Sequence, residues 1–256
     1  MKATLDSIVS LCKRRGFVFP GSSIYGGLAN SWDYGPYGVA LKKNIKDTWW
    51  RSMVYLNENI VGLDSAIFMH PTIWKASGHV DNFSDPMIDN LDSKKRYRVD
   101  HLIEGHAEQL AVSSQQSADD LLASMDALLA KDDFAGLKNL ILDNAIKCPI
   151  SGTCNWTDVR QFNLMFSTQL GSVAEESDTI YLRPETAQGI FVNFLNVQKS
   201  GRMKIPFGIA QIGKAFRNEI VARGFIFRMR EFEQMEMQFF VRPGTQKEWY
   251  EKWKAT

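Results

Sequence analysis

Charged and aromatic side chains alternate along the stretch 207–241, which carries residue types able to hold a nucleotide. The stretch predicts two strands joined by a short loop, and successive side chains of a strand point to opposite faces. One face of the second strand is an apolar row interrupted only by Glu231 and Glu233. The other face carries two arginines, an aromatic ring and a carboxylate, at Arg228, Arg230, Phe232 and Glu236.

The first strand adds Arg217 and Glu219 on one face, beside small residues that leave room for a ligand. Guanidinium groups bind phosphate oxygens through charge-assisted hydrogen bonds, an aromatic ring stacks on a base, and a carboxylate accepts from an amine. These groups predict an ATP site with room for an amino compound. The alternative is a solvated sheet surface of Arg–Glu pairs, each contributing roughly a few tenths of a kcal/mol. The ring of Phe232 among the charges favours a ligand, because an ion-pair face has no need of it.

The order of these residues resembles the motif 2 hairpin of class II aminoacyl-tRNA synthetases: Phe216-Arg217-Asn218-Glu219, a loop, then Arg228 and Phe232. Two further stretches, 183–189 (RPETAQG) and 32–36 (WDYGP), are similar to the homodimeric glycyl-tRNA synthetases. The resemblance implies an α+β fold, a class II aminoacyl-tRNA synthetase-like antiparallel sheet flanked by helices, with a helical insertion.

The same resemblance implies a role in ATP binding for four residues. Arg217 would bind the α-phosphate and act in catalysis, and Arg228 would hold the γ-phosphate of a bent ATP. Glu219 would meet the adenine amino group, and Phe232 would stack on the adenine ring. Mg²⁺ is the implied cofactor, bound mainly by phosphates and water.

For glycine, the resemblance implies that Glu185 and Glu236 receive the ammonium group while Arg217 lies beside the carboxylate. A loose pocket distinguishes two amino acids that differ by one methyl group by only about 1–3 kcal/mol. Rigid groups near Cα would select glycine better, because they leave no space for a methyl group. The implied reaction has two steps, formation of glycyl-adenylate from glycine and ATP and then transfer of the glycyl group to tRNA(Gly). Neither step needs a covalent nucleophile, so catalysis would come from placement and charge neutralisation.

Two other functions stay open. One is a noncatalytic relative that binds nucleic acid or serves as an accessory subunit, against which the four intact ATP-site residues argue. The other is a class II enzyme for a different small amino acid.

The composition sets limits on the fold and the partners. A chain of 256 residues with 45% hydrophobic content can bury one large core, or one core and an insertion. With 30 basic and 29 acidic residues, no extended polyanion-binding surface is predicted. No apolar run reaches the ~18 residues of a membrane span, and the first 15 residues lack a secretory signal. We expect a cytoplasmic protein with no membrane partner.

The three cysteines, Cys12, Cys148 and Cys154, are expected to be reduced thiols, since an odd number argues against a disulfide framework. Cys148 and Cys154 are too far apart for the C-x2-4-C spacing of a zinc ribbon, so no protein metal site is expected. The four histidines show no HExxH spacing and receive no catalytic role. The stretch 74–92, which contains Ser77-Gly78-His79, resembles the segment that follows motif 1 in the glycyl enzymes, and its chemical role cannot be read from the sequence.

Apolar spacing predicts helices over 4–15 and 39–56, and strands over 17–20 and 65–69, the last ending at Pro71. A helix and a strand that ends at proline resemble motif 1 of class II enzymes, which implies a homodimer interface. Plain core packing is the alternative. A strand over 158–166 and a helix after Glu185 should line the pocket, the helix burying Ile190, Phe191, Phe194 and Leu195.

Two apolar stripes between 117 and 145 predict a helical hairpin. We assign 100–145 to a helical insertion, either a stabilising appendage or a lid or acceptor-stem contact, between catalytic-domain parts 1–99 and 146–256. A third class II motif and an anticodon-binding domain are not found in the sequence. This chain alone is therefore expected to be inactive or very weak.

Overall fold

The computed structural model describes residues 4–112, 114–171, 178–219 and 224–255. The chain divides into two compact units. One is formed by Met1–Val80 with Met165–Thr256, and the other by Asp81–Leu164. Within the described ranges, none of the helices has the length and apolarity needed to cross a bilayer.

The elements follow one another along the chain as helices and short strands. The first half contains α1 (Leu5–Arg14), β1 (Val18–Pro20), β2 (Trp32–Tyr34), α2 (Pro36–Trp50), β3 (Ile60–Gly62), α3 (Pro71–Ala76), α4 (His79–Asn82), β4 (Ser84–Asn90), β5 (Lys95–Arg98), α5 (Val99–Ala111) and α6 (Gln115–Leu129). The second half contains α7 (Phe134–Asp143), β6 (Arg160–Asn163), β7 (Ser167–Leu170), β8 (Asp178–Tyr181), α8 (Ala187–Val192), α9 (Phe194–Ser200), β9 (Phe207–Phe216), β10 (Glu231–Phe240) and α10 (Gln246–Ala255).

The predicted hairpin is present as β9 and β10, which pair antiparallel from Phe216 opposite Glu231 to Phe207 opposite Phe240. β3 pairs parallel with the other edge of β9, which gives the order β10-β9-β3. The prediction that the second strand begins near Phe225 is wrong. Residues 225–227 form a 3₁₀ turn after Gly224. Gly224 and Phe225 both have positive φ, and the ring of Phe225 packs edge-on against Trp32.

The predicted helix 39–56 is observed as α2, which continues into a π-helical turn at Arg51–Tyr55. The strand predicted at 65–69 is wrong, because the strand of this region is β3. In 65–69 only an isolated bridge joins Phe68 to Leu182. The carbonyl of Ser65 accepts a hydrogen bond from the Arg183 guanidinium at 2.8 Å instead of one from a neighbouring strand.

The core under the hairpin is formed by α8 and α9 packed on β9. Ile190, Phe207 and Ile209 are fully buried, and the ring of Phe194 stacks on Phe207 with centroids 5.4 Å apart. The single helix predicted here is two short helices that meet at Asn193. The prediction that Phe191 and Leu195 are buried is wrong, because about half of the surface of each is exposed.

The second unit combines the antiparallel sheet β5-β4-β6 with α5, α6 and α7. The predicted helical hairpin is present as α6 and α7. The predicted insertion 100–145 falls inside this unit, and its limits stay a prediction. The predicted strand 158–166 is shorter, at Arg160–Asn163. The core contains Val99, Ile103, Leu137 and Ile141, each with no exposed surface.

Leu137→Ala should lower the free energy of unfolding of the second unit by about 2–5 kcal/mol, because truncation leaves a cavity in a closed core. Leu142→Ala is the matched control, since Leu142 lies on the same helix and is 42% exposed. Hydrogen exchange of the amides in 81–164 measures the free energy of unfolding of this unit in both variants. Equal loss of protection in the two variants would contradict the assigned core.

Candidate functional site

One face of the hairpin collects the polar residues that the alternation predicts. Antiparallel pairing places Phe232 opposite Ala215, Gln234 opposite Gly213 and Glu236 opposite Gln211. Residues directly opposite one another in such a pair share a face. Phe232, Gln234, Glu236 and Gln238 therefore lie in a row beside the small residues of β9.

At the loop end of this face, the four predicted ATP-site residues lie together. The Arg217 guanidinium lies over the Phe232 ring, 5.4 Å from its centroid, and its Nε donates to the carbonyl of Pro184 at 3.1 Å. Arg228 Nε is 3.6 Å from Glu219 Oε2. All four residues line a cavity of about 680 Å³, which is within the usual size range of small-ligand sites and whose lining also includes Lys42, Lys46 and Glu233.

Arg228 differs from its predicted setting, because it follows the 3₁₀ turn and lies outside β10. Its side chain is 43% exposed and pairs with Glu219. This contact is an Arg–Glu pair of the kind that the sequence analysis gave as the alternative to a ligand site. The neighbouring Arg230 has a structural contact instead, since its Nη1 donates to the carbonyl of Ala29 at 3.1 Å.

At the other end, Glu185 and Glu236 are held by hydrogen bonds between the loop before α8 and β10. Thr186 Oγ1 donates to Glu236 Oε2 at 2.5 Å, and Gln238 Nε2 donates to Glu236 Oε1 at 2.6 Å. Gln188 Nε2 donates to Glu185 Oε1 at 2.7 Å. The Thr186 bond joins the residue after Glu185 to Glu236, so it ties the loop that carries Glu185 to β10. Neither carboxylate lines the 680 Å³ cavity, so the acidic end is distinct from the arginine end.

The buried Arg183 fixes the loop that carries Glu185. Its Nε donates to the carbonyl of Lys214 at 2.6 Å, and Nη1 donates to the carbonyl of Ser65 at 2.8 Å. Burial lowers the pKa of Arg183, although Asp64 opposes this shift. A Cβ at Gly213 would lie 2.3 Å from Arg183 Nη2, so glycine is needed there for the guanidinium to fit.

Three amide side chains beside the carboxylates each keep one buried atom without a hydrogen-bond partner in the part of the chain that is described. These atoms are Gln188 Oε1, Gln211 Nε2 and Gln234 Oε1. Gln211 has no exposed surface, and its Oε1 accepts from Ser65 Oγ at 3.0 Å. Buried polar groups in native structures are nearly always paired, so this arrangement is typical of a face that receives a polar ligand.

The opposite face of β10 anchors α2. Glu233 lies 2.6 Å from Lys42 Nζ and 3.1 Å from Lys46 Nζ. Burial raises the pKa of Glu233, but the two lysines outweigh it and hold the pKa below its ordinary value. Burial, and then the charge of Glu233, raise the pKa of Tyr34. These groups attach α2 to the sheet, and Glu233, Lys42 and Lys46 also line the cavity that contains the four predicted ATP-site residues.

No group of three or more His, Cys, Asp or Glu side chains within 4–112, 114–171, 178–219 and 224–255 is arranged to hold a metal ion. Cys12, Cys148 and Cys154 are free cysteines. Burial raises the pKa of Cys148, but hydrogen bonds from Ser151, Ser93 and Tyr97 outweigh it and lower the pKa to about 6.

The sequence did not identify Thr186, Gln188 and His79, which contact the two carboxylates, or Gln211, which lies opposite Glu236 in the sheet. Thr186 and Gln188 stand within the RPETAQG stretch, so the motif contained a signal for both. Gln211 shares the parity of Gly213 and Ala215, so alternation along β9 could have identified it. His79 Nε2 lies 3.4 Å from Glu185 Oε1, a contact between residues far apart in the sequence.

Comparisons with known proteins identify the family. The model described as "Glycyl-tRNA synthetase insertion domain 1" matches residues 85–117 and 108–164. The model described as "tRNA synthetase class II core domain (G, H, P, S and T)" matches residues 166–256. The second unit therefore contains sequence typical of a glycyl-tRNA synthetase insertion, and the hairpin lies within the class II core match.

Two relatives match nearly the whole chain. A glycine–tRNA ligase of Chlorobaculum tepidum is 57% identical over 252 residues, which cover 98% of this chain and 54% of the relative. A glycine–tRNA ligase of Staphylococcus aureus (strain JH9) is 55% identical over 255 residues, which cover 100% of this chain and 53% of the relative. The chain thus spans about half the length of the curated relatives it matches.

A structural comparison agrees at the level of the fold. The crystal structure of the RNA binding domain of threonyl-tRNA synthetase from Cryptosporidium parvum Iowa II matches with a TM-score of 0.51, covering 96% of this chain and 40% of that chain. The sequence identity is 17%, so this likeness shows the fold alone. Together with the core match, it confirms the predicted α+β class, with antiparallel sheets and flanking helices. From these matches, the chain belongs to the glycyl-tRNA synthetase family of class II aminoacyl-tRNA synthetases.

Proposed function

We propose that this chain provides the glycine- and ATP-binding part of a glycine–tRNA ligase, which activates glycine with ATP and transfers it to tRNA(Gly). One observation carries the proposal. A single face of the β9–β10 hairpin holds Arg217 over Phe232 at one end, and Glu236, tied by Thr186 to the loop of Glu185, at the other. Such a face is complementary in charge to a nucleotide joined to an amino acid.

The ATP end uses the four residues that line the cavity. Arg217 binds the α-phosphate, and Arg228 binds the γ-phosphate, exchanging its contact with Glu219 for phosphate oxygens. Glu219 then accepts a hydrogen bond from the adenine amino group. Phe232 stacks on adenine in place of the Arg217 guanidinium that lies over it in the free protein. The exposure of Arg228 supports this exchange, because a half-exposed ion pair contributes little stability.

The glycine end uses Glu185 and Glu236 as acceptors for the ammonium group, with Arg217 beside the carboxylate. Thr186 and Gln238 hold Glu236 from both oxygens, and Gln188 holds Glu185. A carboxylate fixed in this way cannot move aside for a larger side chain. Selection of glycine then comes from exclusion, which discriminates better than a loose pocket.

The chemistry follows from this arrangement. The glycine carboxylate attacks the α-phosphorus, pyrophosphate leaves, and a ribose hydroxyl of tRNA(Gly) later accepts the glycyl group. Arg217 neutralises charge that develops on the α-phosphate, which is the main way in which such transfers are catalysed. Mg²⁺ would enter with ATP, bound mainly by phosphate oxygens and water. A cytoplasmic location is part of the same proposal, because tRNA charging supplies protein synthesis there.

The proposal includes a homodimer formed through the motif 1 region. Several large apolar residues in the predicted motif 1 helix and in the segment before it have half or more of their surface exposed: Ile24, Tyr25, Leu28, Tyr37, Leu41, Ile45, Tyr55 and Leu56. Exposed apolar surface of this extent is typical of an interface, and a second copy of the chain is the proposed partner.

Glycyl sulfamoyl adenosine, a nonhydrolysable analogue of glycyl-adenylate, tests the site by isothermal titration calorimetry. Arg217→Ala and Glu236→Ala should each weaken its binding about 10- to 100-fold, because each removes charge-assisted hydrogen bonds to the ligand. Glu231→Ala is the control and should bind like the wild type, since Glu231 lies on the opposite face and is exposed.

The other functions give different results in this titration. Absence of binding by the wild type would favour a noncatalytic relative. Tighter binding of alanyl or seryl sulfamoyl adenosine would indicate a different amino acid. Wild-type affinity in both alanine variants would contradict the assigned residues.

Sedimentation velocity tests the dimer. The wild type should sediment with about twice the 29.1 kDa mass of one chain. The double change Tyr25→Glu and Tyr55→Glu should give a monomer, because charge in an apolar interface is costly to desolvate. Leu195→Glu, at another exposed apolar position, is the control and should leave the mass unchanged. A monomeric wild type would rule out the dimer.

A further inference from the structure

We propose that His79 is a positioning residue for glycine recognition, which holds the Glu185 carboxylate in the orientation that receives the ammonium group. This inference rests on the proposed function. It assigns a role to the Ser-Gly-His stretch at 77–79, whose chemistry the sequence alone left open.

The contact with Glu185 is direct and largely shielded. His79 Nε2 lies 3.4 Å from Glu185 Oε1, and the His79 side chain is only 13% exposed. Gln188 Nε2 donates to the same oxygen at 2.7 Å. Both neighbours therefore act on Oε1. No partner for Oε2 is found among the described residues, so Oε2 is the oxygen available to a ligand.

The histidine is itself oriented by its neighbours. Ser77 Oγ lies 2.9 Å from His79 Nδ1, and the ring packs edge-on against the fully buried Trp74 with centroids 5.5 Å apart. Ser77 Oγ is also within donating distance of the carbonyl of Trp74, at 3.3 Å, so the tautomer of the ring decides its role. The Glu185 carboxylate can only accept, which places the N–H on Nε2 and leaves Nδ1 as an acceptor. A Ser77 hydroxyl that donates to Nδ1 leaves the N–H of the neutral ring on Nε2, where it faces Glu185.

The need for such support follows from the position of Glu185. Its side chain is 30% exposed, and the residue lies just before α8 rather than within the helix. Solvent would compete for a carboxylate in this position, and its side chain could rotate away from Glu236. Donors from Gln188 and His79 restrict it, so removal of one should weaken recognition of the ammonium group without affecting the nucleotide.

Two variants separate the polar contact with Glu185 from the packing against Trp74. His79→Phe keeps a ring against Trp74 and removes both nitrogens, whereas His79→Gln restores an N–H donor. The whole chain is titrated with glycyl sulfamoyl adenosine and with acetyl sulfamoyl adenosine, which lacks the ammonium group. His79→Phe should bind the glycyl compound about tenfold more weakly and the acetyl compound within about twofold of wild type. His79→Gln should stay within about threefold of wild type for both.

Ser77→Ala is a second test that leaves His79 in place and should also weaken only the glycyl compound. Thermal melting of each variant reports whether it is folded. Wild-type affinity of His79→Phe for the glycyl compound, or an equal loss for both compounds, would overturn the proposal. If the wild type itself does not prefer the glycyl compound to the acetyl compound, the proposed function fails first, and this inference fails with it.

Discussion

The pairing register of β9 and β10 is the constraint on which the rest of the structure depends. Successive side chains alternate between the faces of a strand, so a slip of one residue would exchange the two faces completely. In the observed register, Phe232 and Glu236 face the loop that carries Glu185, and Glu233 faces the lysines of α2. Salt bridges on one face and the Thr186–Glu236 bond on the other favour the same register.

The second constraint is the buried guanidinium of Arg183. Desolvation of a charged group is costly, and here its hydrogen bonds go to backbone carbonyls of β9 and of the segment after β3. Gly213 leaves the space that the guanidinium fills, and the loop that follows Arg183 supplies both Glu185 and Thr186. A structural arginine and a glycine thus position the carboxylates proposed to bind the substrate.

Much of the site could be predicted from the sequence, because alternation along a strand is a local property. The hairpin, its two faces and the grouping of Arg217, Glu219, Arg228 and Phe232 all follow from parity and motif order. The start of β10 could not be predicted, because it depends on the contact between Phe225 and Trp32, far apart in the chain. The strand expected at 65–69 failed for a similar reason, since Arg183 binds its carbonyls. His79 reaches Glu185 through a long-range contact that leaves no periodic signal.

A crystal structure of the chain with bound glycyl sulfamoyl adenosine tests the central claim most directly. The account predicts that the adenine ring lies on Phe232 and that the ammonium nitrogen is within hydrogen-bonding distance, about 3 Å, of Glu236 and Glu185. Arg217 should contact the sulfamoyl group that replaces the α-phosphate. A ligand bound elsewhere, with these guanidinium and carboxylate groups facing solvent, would contradict the assignment even though the family is established.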